Sequence, residues 1–181
     1  MWFYNADMIR SIWNHLLPER VRILLLLGNS KRAERICRDN IKHNPKDLLA
    51  HKWLARTLWK QQCLEEAIDE FQLAISFQRT TLTADRLDLI KLLLQAEHYE
   101  RVLHECDKLL DPTFNRAFGI FKQAKQYAAY EARYQAYLGL KDYRNAKQAL
   151  LAYLPFHKGK GRQQVLRYIE FCNRQIKQSE S

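Results

Sequence analysis

Apolar residues along this chain recur at intervals of three and four, and few segments alternate as a strand requires. The stretch from Asn44 to Phe77, "NPKDLLAHKWLARTLWKQQCLEEAIDEFQLAISF", shows the pattern most clearly. Leu54, Ala55 and Leu58 fall on one face of a first predicted helix, and Ala67, Phe71 and Ala74 on one face of a second. The class is therefore all-α. Alanine where leucine would bury more area has a use: two helices approach closely only where a small side chain meets a large one.

Three other stretches repeat this order. "LLLLGNSKRAERICRDNIKHNP" leads through Gly28, Ala33, Cys37, Ile41 and Pro45. "DRLDLIKLLLQAEHYERVLHECDKLLDP" leads through Leu89, Ile90, Leu93, Tyr99, Val102, Cys106 and Leu109 to Pro112. "YEARYQAYLGLKDYRNAKQALLAYLP" leads through Tyr134, Tyr137, Tyr143, Ala146, Leu150 and Tyr153 to Pro155. Ala33 to Ala67 is 34 residues, Ala67 to Val102 is 35, and Val102 to Ala146 is 44. In this order and spacing the chain resembles the tetratricopeptide repeat (TPR), a 34-residue helix–turn–helix unit with a W-x-x-L-G-x-x-Y…A-x-x-x-F…P pattern. The second copy carries Leu54, Ala55, Leu58, Ala67, Phe71 and Ala74 at the family's positions, with His51 where tryptophan is usual. The copies depart from the pattern where Ile90 and Tyr134 replace the small residue of the first helix and Val102 that of the second.

The resemblance implies a right-handed α-solenoid of stacked TPR-like hairpins, because each hairpin leaves an apolar face that only the next one covers. About four repeats are expected over residues 17–155, one divergent, with an insertion near 111–123 ("DPTFNRAFGIFKQAK") that either lengthens the next helix or forms a short one. Residues 1–16 are expected to form an apolar N-terminal helix or cap. After a basic loop at "FHKGKGRQ", residues 160–178 are expected to form a C-terminal capping helix through Val165, Leu166, Ile169, Phe171, Cys172 and Ile176.

Composition changes the picture in three ways. The formal charge of +10 favours acidic partners such as nucleic acid, anionic membrane or an acidic protein segment. Cys37, Cys63, Cys106 and Cys172 show no C-x-x-C pairing, and the early apolar run "VRILLLLG" lacks a signal-peptide cleavage pattern and is too short to span a bilayer. A cytoplasmic protein with reduced thiols is the economical reading. No phosphate loop, H-E-x-x-H or nucleophile elbow occurs, and the six histidines show no ligand spacing, so neither an enzyme nor a metal or cofactor site is expected. Cys37 and Cys106 fall in the slot held by Phe71 and Leu150, as small core hydrophobes.

In the family, the first helix of each repeat lines a concave peptide-binding groove. Carried onto this chain, the groove positions are Arg22; Lys52, Trp53, Arg56, Trp59 and Lys60; Lys91 and Gln95; and Gln135. Lys52, Arg56 and Lys91 imitate the cations of the family's carboxylate clamp for chaperone tails, but no asparagine stands at a matching place, which argues against that activity. The leading expectation is a scaffold or adaptor whose basic, tryptophan-bearing groove holds an acidic segment of a partner protein. Binding of RNA or single-stranded nucleic acid by the same basic aromatic surface is the alternative, and a chaperone for a secreted or assembled partner is a third. A second docking face is offered by Trp2, Phe3, Ile9 and Trp13. The oligomeric state is left open.

Overall fold

A computed structural model describes residues 16–78, 83–111 and 122–180, and the expected docking face at Trp2, Phe3, Ile9 and Trp13 lies outside them. The described residues are helical, with no strand among them. The helices are α1 (Leu17–Leu26), α2 (Ser30–His43), α3 (Leu48–Lys60), α4 (Leu64–Ser76), α5 (Thr83–Gln95), α6 (Tyr99–Leu110), α7 (Lys122–Gly139), α8 (Tyr143–Tyr153) and α9 (Gly159–Ser179). They belong to two compact units, Met1–Asp85 and Arg86–Ser181, with the division inside α5.

One turn is built four times. Gly28 (φ 74°), Gln62 (φ 64°), Glu97 (φ 59°) and Lys141 (φ 58°) adopt the left-handed conformation, each five positions before Ala33, Ala67, Val102 and Ala146. The residue after each donates its N–H to the carbonyl five positions back: Asn29 to Leu24, Cys63 to Leu58, His98 to Leu93 and Asp142 to Tyr137, at 2.8–3.0 Å. This is the Schellman ending, which satisfies carbonyls left over at a helix terminus and reverses the chain within three residues. Three of the four turns use a side chain where glycine would be unstrained, at a cost of about 1–2 kcal/mol each. Side-chain caps start α2, α3 and α8: Asn29, Asp47 and Asp142 accept backbone N–H bonds from the first turn of the helix that follows.

The slots foreseen from the repeat are closed. Ala33, Ala67, Val102 and Ala146 are each 0% exposed, as are Cys37, Phe71, Cys106 and Leu150 four residues on. In the first unit α1 packs on α2 and α3, α2 on α3, and α3 on α4. In the second unit α6 packs on α7, α7 on α8, and α8 on α9. Gly139 makes the α6–α7 approach possible, since a Cβ there would stand 2.3 Å from the Tyr99 ring.

Three expectations change. In α7 the small buried residues are Ala129, Ala132 and Ala136, while Tyr134 stays half-buried with its ring 5.5 Å from Tyr153 and 6.0 Å from Tyr168. The basic "KGKGRQ" stretch is not a loop: α9 starts at Gly159, after a 3₁₀ turn over Leu154–Phe156. Glycine at 161 leaves space for His157, whose ring packs 4.4 Å from Tyr153; a Cβ at 161 would stand 3.0 Å from His157 Nδ1. Last, Leu166 (39% exposed) and Phe171 (38%) do not join the buried stripe of α9, which is Val165, Ile169 and Cys172. The insertion near 111–123 contributes Lys122 and Gln123 to α7, and its remainder from 112 to 121 lies outside the described residues.

Ala67 has no exposed surface in the α3–α4 hairpin, so Ala67→Leu must force the helices apart. We expect a loss of roughly 1–3 kcal/mol in thermal or urea unfolding, and an unchanged midpoint would contradict the packing.

Candidate functional site

The helix α3 sorts its side chains onto two sides. Ala50, His51, Leu54, Ala55, Thr57 and Leu58 are buried, which leaves Leu49, Lys52, Trp53, Arg56 and Lys60 on the opposite face at helical spacing. His51, in the family's tryptophan place, is 5% exposed and polar contacts hold it: Nδ1 lies 2.6 Å from Glu70 Oε2 and Nε2 donates to the Pro45 carbonyl at 3.0 Å. Its ring also packs 5.4 Å from Phe77. These contacts fix the rotation of α3 about its axis and so decide which side chains face out.

On the outer face Arg56 lies over Trp53, its guanidinium carbon 5.1 Å from the ring centroid. Such a contact contributes about 0.5–1 kcal/mol at an exposed site and holds a long cation in one place. Trp59 meets Phe71 edge-on at 6.5 Å, so its ring is anchored to the α4 side of the hairpin. Lys60 is exposed and donates to the Leu25 carbonyl at the C-terminal end of α1, which leaves further ammonium protons for a ligand. Arg22 on α1 pairs with Glu19 at 2.9 Å, with both side chains more than half exposed.

Lys52 is a correction. The expected groove cation is only 16% exposed and forms an ion pair with Asp85, itself 2% exposed, which also accepts from Gln78 Nε2 at 2.6 Å. Sequence spacing does not reveal Asp85, because its partner stands on another helix and pairing at such separation leaves no local pattern. Lys52 therefore stabilises the first unit. Taking away either partner would strand a buried charge.

Of the groove positions in the second unit, Lys91 is 66% exposed with Asp88 Oδ1 at 4.0 Å, and Gln95 on α5 and Gln135 on α7 are exposed. In the interior of this unit, Arg86 forms a buried ion pair with Glu105, which also accepts from Lys108 at 2.8 Å. Here too, long side chains that read as surface charge are spent inside the fold. Among the described residues no group of His, Cys, Asp and Glu stands as a metal site, and no helix is long and apolar enough to cross a membrane.

Paired helices joined by Schellman turns around small buried residues define an all-α, TPR-like fold. Solved structures show the same class: the MamA RS-1 ArsTM double mutant matches at 13% identity over 92% of this chain and 96% of that one, with a TM-score of 0.62. MamA from residue 41 to its end, from Desulfovibrio magneticus RS-1, matches at 14% identity over 93% and 97%, again with a TM-score of 0.62. A crystal structure of MamA matches at 13% identity over 88% and 96%, with a TM-score of 0.53. No family model and no curated protein sequence matches the chain. At these identities the likeness is one of fold.

The cysteines are core residues. Burial pushes the Cys37 and Cys106 thiols up to about 12, and raises that of Cys172, so none is a ready nucleophile at neutral pH. All four thiols are unpaired, and Cys63 alone is partly exposed. We expect an aromatic disulfide reagent to label Cys63 rapidly and the other three only on unfolding. A raised folded value means that the fold holds protons the unfolded chain releases. The contribution of these thiols is thus full below the ordinary value of 9.0 and declines as pH rises towards about 12. Rapid labelling of three or four thiols in the native protein would contradict this burial.

Proposed function

We propose that this chain is a non-enzymatic protein-interaction scaffold, and that the outer face of α3 binds an acidic segment of a partner protein. The observation that carries the reading is the composition and order of that face. The α3 sequence, "LLAHKWLARTLWK", contains no carboxylate, and Arg56 is stacked in place on Trp53 beside exposed Lys60. Exposed ion pairs contribute only roughly 0.2–1 kcal/mol each, so affinity must also come from apolar contact with Trp53, Trp59 and Leu49. The recognised segment therefore carries aspartate or glutamate beside an aromatic or aliphatic residue. Lys52 is excluded from the contact set, while Arg22, Lys91, Gln95 and Gln135 are exposed positions to be tested separately. Four unpaired thiols suit a reducing, cytoplasmic compartment.

Nucleic acid is the competing ligand class, and salt separates the two. A strand held through many phosphates loses affinity steeply as salt rises, whereas a peptide held by two cations and two tryptophans responds weakly. Selection from a random peptide library on the folded protein should enrich acidic sequences with an apolar anchor. Arg56→Glu combined with Lys60→Glu should weaken the selected peptide at least tenfold while the protein still unfolds cooperatively, with its midpoint lowered only by the lost Trp53 and Leu25 contacts. Enrichment of basic peptides, unchanged affinity in the double variant, or preferential capture of single-stranded RNA would overturn the proposal.

A further inference from the structure

Helix α9 has apolar surface beyond what its packing on the second unit uses. Here Val165, Ile169 and Cys172 already cover the unit's end, joined by Leu150 and Tyr153 of α8. Tyr168 and Phe171 are left 38% exposed each. They belong to a second stripe, Lys160, Gln164, Arg167, Tyr168 and Phe171, spaced four, three, one and three residues apart along one side of the helix. With Leu138 from the last turn of α7 this stripe lines a cleft of about 740 Å³. We infer that this cleft is a docking site, separate from the α3 face, for an acidic amphipathic peptide segment.

Three observations select that occupant. The first is charge: the lining holds Lys160 and Arg167 and no carboxylate, and α9 as a whole has five cations (Lys160, Arg162, Arg167, Arg174, Lys177) against Glu170 alone. A second copy of this chain would bring the same cations and a net charge of +10, so self-association is opposed. The second is preorganisation. Tyr168 lies 6.0 Å from Tyr134, and Phe171 meets Tyr143 edge-on at 5.9 Å, so the rings stand fixed before any ligand arrives. Rigid aromatics give contact area at little entropic cost, and this favours them as anchor pockets. The third is reach. From Lys160 to Phe171 the stripe runs about 16 Å at the helical rise, the length of three turns of a partner helix. Two cations, two aromatic rings and a leucine in one lining fit a segment that combines carboxylates with apolar anchors. They are poorly matched to a nucleic-acid strand, which needs a continuous run of cations along its phosphates.

The test uses the full chain and a labelled synthetic peptide of sixteen residues, with leucine and phenylalanine at i, i+4, i+7 and i+11 and glutamate at the flanking positions. A control peptide has lysine for every glutamate. By fluorescence anisotropy the glutamate peptide should bind at least tenfold more tightly than the control. Lys160→Glu with Arg167→Glu, two exposed side chains, should weaken it at least tenfold. Phe171→Ala should weaken it severalfold, and its unfolding midpoint checks that the Tyr143 contact is not needed for folding. Arg56→Glu with Lys60→Glu should leave this affinity unchanged, so failure of the α3 reading and failure of this one are separately visible. The inference is overturned if the two peptides bind alike or the α9 variants bind as wild type. It is also overturned if the α3 variant alone loses binding, or if the same α9 variants instead abolish binding of oligouridine or a dimer seen by sedimentation.

Discussion

A left-handed residue closing one helix, five positions before a side chain with no exposed surface, is the constraint on which the rest of this structure depends. The turn brings two helices so close that only alanine, or once valine, fits where they meet. Backbone hydrogen bonds hold the reversal, so it survives whether the residue is Gly28, Gln62, Glu97 or Lys141. Close approach then sets which residues can be large: Phe71 and Leu150 fill the following slot in two hairpins, and Cys37 and Cys106 fill it in the other two. A hairpin built this way has an inner face and an outer face with little freedom between them.

Charge is distributed by the same geometry. A net charge of +10 suggests a surface crowded with available cations, yet Lys52 and Arg86 are spent on Asp85 and Glu105 inside the units. Arg38 meets Glu34 at 3.0 Å and Glu66 at 3.2 Å, and Gln61 donates to Glu34 at 3.1 Å, which ties α2 to the next hairpin. That hydrogen bond from Gln61 is the main reason the Glu34 carboxyl lies below its ordinary value, with Arg38 adding to it. Cations that remain for a ligand are those that a helix face turns outward and an aromatic or a carbonyl holds still. Arg56 and Lys60 meet that description on α3, and on α9 Lys160 and Arg167 are exposed beside two tyrosine-buttressed rings.

Much of this was legible in the residues. The period of three and four, the recurring alanines and the spacing of 34 and 35 identify paired helices, and Gly28 marks the first turn. The other three turns were hidden because glutamine, glutamate and lysine carry no left-handed signal of their own; backbone bonding overrides their preference. Tyr134 does not take the small-residue slot, because α7 supplies three buried alanines, and any of them can serve where helices touch. Apolar character alone also misled in α9. Leu166 and Phe171 count as hydrophobic, but their angular positions fall outside the stripe of Val165, Ile169 and Cys172. Partnerships across helices, such as Lys52 with Asp85, leave no local trace, and they decide which basic residues remain for binding.

If an acidic segment lies against α3, the chain's four tryptophans report on it. Trp53 and Trp59 lie on that helix, whereas Trp2 and Trp13 lie near the N-terminus, outside the described residues. Four indole N–H signals in a ¹⁵N-labelled sample, assigned by single Trp→Phe substitution, would be followed while an acidic peptide is added. Binding at α3 should move the Trp53 and Trp59 signals together, saturating at one affinity, while those of Trp2 and Trp13 stay in place. Movement of Trp2 and Trp13 with Trp53 and Trp59 unchanged would contradict it.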